Sequence, residues 1–222
     1  LYLDGNRKLF DAGVNAIPIV ALLAFLISIV LAYQGATQLA RFGAEIFTIN
    51  MTAVSLLREM GPLLTAILVA GRSGSAFAAE LGVMRLNEEI DAMRTMGMDP
   101  YEVLVLPRIL ALVIMLPLLT MLANLVGLAG GAVAVYTLIG IPLETYLAQV
   151  QGALTPWTFW TGIIKTPVFA FLIASTATFW GMRVAGSAAS VGRATTISVV
   201  QSIFLVIAAD AAFSILFTAV GM

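Results

Sequence analysis

The sequence contains no cysteine and no histidine. Without thiols there is no disulfide framework, no thiolate metal site and no cysteine nucleophile. Without imidazole the commonest metal ligand and general base is missing. Charge is scarce too: Asp, Glu, Lys and Arg make up 10% of the 222 residues, against roughly 25% in soluble domains. With 61% hydrophobic residues and a mean hydropathy of +1.04, an ordinary soluble globule is excluded. A net charge of −1 leaves no electrostatic footprint for nucleic acid.

What the chain does have is apolar length. The runs at 17–39, 51–82, 107–138, 159–182 and 197–220 are each long enough to cross roughly 30 Å of hydrocarbon. They predict an all-α integral membrane protein with five transmembrane helices, forming a single domain over 1–222. In 1–16, Asp4, Arg7, Lys8 and Asp11 alternate with apolar residues, and Leu3, Phe10 and Val14 share a helical stripe. That pattern suits an interfacial helix lying on the membrane, or else a short soluble linker. The chain begins at Leu1, so a preceding piece is expected, and the first run lacks a cleavage site and reads as an anchor. Residues 41–50 and 140–156 read as outer connections, the latter with a short helix. Placing the N-terminus in the cytoplasm puts Arg7, Lys8, Arg85, Arg94, Arg108, Arg183 and Arg193 inside and leaves Arg41 outside. The positive-inside rule therefore sets the C-terminus on the far side. In the far half of the third run, Gly127 and Gly131 have a spacing that admits a close neighbouring helix.

One concentrated polar segment interrupts the apolar runs, and its residues 85–97 predict a short helix. Asn87 offers an N-cap oxygen; Glu88, Glu89 and Asp91 suit the positive end of the helix dipole and Arg94 the other end. Gly97 fits a left-handed terminator, and Pro100 stops continuation. Leu86, Ile90 and Met93 fall on one face. Leu86, Glu88, Glu89, Ile90, Asp91, Met93 and Arg94 are thus candidates for docking a soluble partner, against the plainer reading of a solvated loop. The segment resembles the coupling loop of ABC importers, an acidic-Ala helix followed by Gly and a Leu-Pro pair. Here those are Glu89, Asp91-Ala92, Gly97 and Leu106-Pro107. The glycine-rich Gly71-Arg72-Ser73-Gly74-Ser75 has no Gly-Lys-Ser/Thr to hold phosphates and reads as tight helix packing. No cofactor is therefore expected on this chain, and ATP with Mg would belong to a partner ATPase.

Four ionisable residues sit well within the apolar runs, away from their cytoplasmic ends: Arg58, Glu59, Lys165 and Asp210. Such residues are costly in lipid and default to functional candidates. At helical rise, Arg58 lies about 33 Å from the cytoplasmic edge, Lys165 about 12 Å below the outer surface and Asp210 about 21 Å above the inner one. They either lock the fold by pairing, or form a polar patch in an apolar cavity that suits a lipid. Proton or ion coupling is the further alternative. Pro62 and Pro167 are expected to open the helix nearby. Arg72 and Glu80 lie closer to the cytoplasm and read as fold-stabilising or interfacial.

The block Leu57-Arg58-Glu59-Met60-Gly61-Pro62, with Ala70 to Ala76 and Ala79-Glu80-Leu81-Gly82, resembles the MlaE family, the permeases of Mla-type, MCE-associated lipid ABC transporters. Met96-Gly97, Asp99-Pro100, Pro107-Arg108, Pro117-Leu118-Leu119 and Arg193-Ala194-Thr195-Thr196 extend the likeness over the whole chain. The resemblance implies a homodimer in the bacterial inner membrane, a cytoplasmic ABC ATPase, a hexameric periplasmic MCE-domain lipid carrier and an accompanying STAS-domain protein. It implies phospholipid movement between the inner membrane and the periplasm or outer membrane, in maintenance of outer-membrane lipid asymmetry. It places Glu59, Lys165 and Asp210 in a lipid cavity between the permease subunits, with Leu57, Leu63 and Leu64 as acyl-chain contacts. No residue is expected to perform covalent chemistry. An ion-coupled secondary transporter and a non-transporting scaffold for a lipid carrier are the alternatives to this function.

Overall fold

A computed structural model describes residues 16–220. The interfacial helix expected over 1–16 lies outside the described residues but for Ala16. Helix α1 is Ile17–Ala40 and α2 is Phe47–Leu86, followed by the short α3, Glu89–Thr95. Then come α4 at Tyr101–Ile139, α5 at Leu143–Ala153, α6 at Pro156–Met182 and α7 at Ala188–Val220. Among the described residues there is no strand, and α1, α2, α4, α6 and α7 are long and apolar enough to cross a membrane. Leu-, Ala- and Met-rich runs have high helix propensity. A helix is also the form in which a single segment satisfies its own backbone in lipid. The chain is an all-α membrane protein.

The helices start and stop differently from the sequence reading in several places, α7 beginning at Ala188 rather than 197 and α6 at Pro156 rather than 159. The connection after α1 is shorter than 41–50, because α2 already begins at Phe47. The span after the polar segment begins at Tyr101, where Asp99 Oδ1 accepts the Tyr101 amide and Pro100 fits the helix start. The polar helix itself covers only Glu89–Thr95, and Leu86 belongs to the end of α2. Asn87 does not cap that helix. It closes α2, while Glu88 sits at the N-cap in the left-handed conformation with φ 60°. At the other end Gly97 is left-handed at φ 75°, and the Met98 amide reaches back to the Met93 carbonyl at 3.0 Å. That is a Schellman closure.

Helix α2 is not uniform. It widens into π-helical turns at Leu56–Met60 and Ala70–Gly74, so the wide turn precedes Pro62. Helix α6 runs through Pro167 without a break.

The described chain divides into two compact units. One comprises Ile17–Thr65, Leu118–Lys165 and the residues from Phe213; the other holds Ala66–Pro117 and Thr166–Ala212. They are called here the Glu59 unit and the Glu80 unit. The core of the Glu59 unit gathers Ala32, Ile49, Ala53, Ala134, Val135, Tyr146 and Val150. Gly130 is needed there, since a Cβ would stand 2.5 Å from the Phe25 carbonyl oxygen on α1. Tyr146 of α5 donates to the Leu128 carbonyl at 2.9 Å, and burial pushes its pKa up to about 12. The core of the Glu80 unit is Leu81, Ile90 and Leu104, with Met84, Met93, Val103 and Met182 against it. There Gly181 lets α6 lie close on α2, a Cβ falling 2.8 Å from that of Leu81.

Candidate functional site

The Glu59 unit brings three of the four intramembrane charges together. Pro62 has no amide hydrogen, so the carbonyl of Arg58 loses the donor a regular helix would supply. Lys165 of α6 fills that place: its Nζ lies 3.3 Å from the Arg58 oxygen and 2.6 Å from Glu59 Oε2. Arg58 Nε reaches the other Glu59 oxygen at 3.4 Å. The lysine side chain is wholly buried, whereas those of Arg58 and Glu59 are 25% and 26% exposed. A buried ammonium is tolerated only when paired and hydrogen-bonded, and here the π turn provides both partners. Gly162, one turn before Lys165, makes the approach possible, because a Cβ there would collide with the Leu57 carbonyl. Asp210 falls in the other unit, half-buried on α7.

In the same unit a cavity of about 530 Å³ is lined by Leu57, Met121, Asn124, Leu125, Leu128 and Phe159, with Leu154 to Pro156 completing it. Leu57 precedes Arg58 in the π turn. Ligand cavities span roughly 300–1,000 Å³ with few polar groups among apolar walls, and this one fits that description. Its polar side chains are Thr155, paired with Thr158, and Asn124, 1% exposed, whose amide oxygen and nitrogen both lack a hydrogen-bond partner. An unmet buried amide costs about 1–3 kcal/mol. Leu63 and Leu64, half-buried further along α2, are not among the lining residues. Asn124, Met121, Leu125, Leu128 and Phe159 were not singled out from sequence. The one signal that could have found them is an asparagine inside an otherwise apolar run.

The docking candidates lie in the Glu80 unit. Glu88, Glu89, Asp91 and Arg94 are exposed. Ile90, expected on the docking face, is instead sealed in the core with Leu81 and Leu104, and Met93 packs against that cluster. The apolar stripe of α3 thus fixes the helix to its own chain and leaves the charged face outward. Asp91 Oδ1 is held by Arg85 Nη1 at 2.6 Å and Arg94 Nη1 at 3.4 Å. A second buried cation closes this unit. Arg108 donates to Glu80 Oε2 at 2.9 Å and to the Leu104 carbonyl at 2.7 Å, with its guanidinium 5.8 Å from the centre of the Phe77 ring.

Comparison with known proteins places these features in a lineage. Residues 6–216 match the family model described as Permease MlaE. A probable ABC transporter permease protein of Rickettsia felis is 38% identical over 202 residues, covering 90% of this chain and 78% of that one. The intermembrane phospholipid transport system permease protein MlaE of Haemophilus influenzae is 32% identical over 206 residues, 92% of this chain and 78% of its own. The chloroplastic protein TRIGALACTOSYLDIACYLGLYCEROL 1 of Arabidopsis thaliana is 33% identical over 211 residues, 95% of this chain and 60% of the plant protein. By the extent of the family match and of these likenesses, the chain belongs to the MlaE permease family.

Proposed function

We propose that this chain is the permease subunit of an ATP-driven transporter that moves phospholipids between the inner membrane and the periplasm or outer membrane, maintaining outer-membrane lipid asymmetry. The observation that carries the reading is one unit, in a member of this family, that holds both the sealed Lys165–Glu59 pair and an apolar cavity with a bare amide. Apolar walls suit acyl chains, and the few polar groups suit a glycerol ester or headgroup. Arg58, Glu59 and Lys165 supply the polar side of the substrate path and Leu57, Leu63 and Leu64 its apolar side, with Asp210 a further polar candidate on α7. Two copies pair in the inner membrane, with the N-terminus cytoplasmic and the C-terminus periplasmic.

The exposed acidic face of α3 docks a cytoplasmic ABC ATPase, which binds ATP and Mg and hydrolyses the nucleotide. Closure of that ATPase moves α3 and, through the Ile90 core, the end of α2. A hexameric MCE-domain carrier receives or delivers lipid on the periplasmic side, and a STAS-domain protein accompanies the ATPase. The test is reconstitution of the natively purified complex in liposomes with labelled phospholipid. Transfer that needs ATP supports the reading. Transfer driven by a proton gradient with no ATPase present, or no transfer at all, refutes it in favour of ion coupling or a passive scaffold respectively.

A further inference from the structure

The Glu80 unit contains a second cavity, of about 390 Å³, whose lining includes Arg85, Arg94, Tyr101, Phe179, Met182 and Arg183. Three guanidiniums converge there, and Asp91 is the carboxylate that pairs with two of them. Arg183 lies instead over the Phe179 ring, 4.0 Å from its centre. The site therefore carries surplus positive charge above an aromatic floor. Ser175 adds a buried hydroxyl without a partner in the cavity wall. Tyr101 is the first residue of α4 and Met182 the last of α6, both helices of membrane-crossing length. Met182 closes a 27-residue helix about 40 Å long, the thickness of a bilayer with its headgroups, so that end reaches the headgroup layer. A cluster of arginines at that depth, backed by apolar side chains, matches a phosphate carried on a hydrocarbon body.

We propose that this cavity binds the phosphate of an anionic lipid headgroup, with the glyceryl end of the acyl chains against Phe179 and Met182. The proposal concerns resident lipid away from the Glu59 unit and stands without the transport reading, although Arg94 belongs to the helix given there to the ATPase. Trp180, edge-on to Phe179 at 5.6 Å, provides a reporter. The full chain, carrying Trp157→Phe and Trp160→Phe, is placed in vesicles in which brominated phosphatidylglycerol or brominated phosphatidylcholine replaces part of the lipid. Quenching of Trp180 is then measured against bromolipid fraction.

The expected result is tighter association of the anionic lipid. Arg183→Gln should weaken that preference about fivefold. Arg183→Lys should keep most of it, and Arg193→Gln, which alters an arginine outside the cavity, should leave it unchanged. Equal quenching by both lipids overturns the proposal, as does an equal loss in Arg193→Gln. Abolition of the preference by millimolar inorganic phosphate overturns the lipid assignment in favour of a free anion. If Arg183→Gln keeps the lipid preference but loses a co-purifying protein, the occupant is an acidic protein segment and the proposal fails.

Discussion

The two buried cations solve one problem in different ways. Lys165 and Arg108 are sealed by the protein, with side chains 0% and 3% exposed, and each meets a glutamate of α2 that still reaches the surface. Each also takes a backbone carbonyl. Arg108 takes that of Leu104 in its own helix and rests near an aromatic face, so it keeps two partners when the acid is lost. Lys165 depends on α2 for Glu59 and for the carbonyl that Pro62 leaves open. A compact ammonium spreads its charge less than a guanidinium and is more strongly hydrated in water. The first pair therefore closes the Glu80 unit firmly. The second is a charge held by a deformed turn whose Leu57 lines an apolar cavity, as the proposed substrate path requires.

Removing one acid from each pair should give the largest separation. Glu59→Ala removes the charge partner of a buried ammonium and is expected to cost about 3–5 kcal/mol, read as a drop in thermal unfolding temperature in detergent. The double change Glu59→Leu with Lys165→Met should recover most of that loss, since an apolar pair replaces an ionic one. A stable Glu59→Ala protein would mean that Lys165 is not sealed.

The glycines beneath the pairs come next. Gly162→Ala drives a methyl group into the Leu57 carbonyl and Gly181→Ala one towards Leu81 and the Ala78 carbonyl. Each should cost about 1–3 kcal/mol or more, Gly162 most, because its obstacle is backbone. Gly71→Ala meets nothing within 4 Å and should be neutral or slightly stabilising in the same assay. A mild Gly162→Ala would mean that α6 does not lie so close to the π turn.

Glu80→Gln should cost only about 1 kcal/mol, because Arg108 keeps its other partners and the Glu80 side chain is 47% exposed. Lipid transfer should then fall only as far as the amount of folded protein does. The smallest effect is expected at Glu88, the one non-glycine residue with positive φ among those described. Glu88→Gly should relieve up to about 1 kcal/mol of backbone strain and slightly raise the unfolding temperature. A fall would show that its carboxylate, not its conformation, matters to the turn.

Much of this was legible in the chain. Long apolar runs leave one fold class open, and Gly97 before Pro100 marked the end of α3 because few other residues accept a left-handed backbone. Asn87 misled because a good capping side chain was read without knowing that α2 would absorb Leu86 and push the turn one residue on. Ile90 misled because an apolar stripe on a short helix looks the same whether it faces a partner or its own chain. The pairing of Lys165 with Glu59 joins residues far apart in sequence and depends on a π turn, which has no pattern of its own. Cavity walls such as Met121 and Phe159 are ordinary apolar residues until the helices are assembled, and Asn124, the one amide among them, was passed over as well.

Whether the Glu59–Lys165 pair serves transport or merely structure is decided by the double variant that replaces this pair with apolar residues, Glu59→Leu with Lys165→Met, in the reconstituted complex. The account predicts a folded subunit that still co-purifies with its ATPase while ATP-dependent transfer of labelled phospholipid falls to the protein-free background. Transfer at the wild-type rate would contradict it and reduce the pair to a lock on the fold.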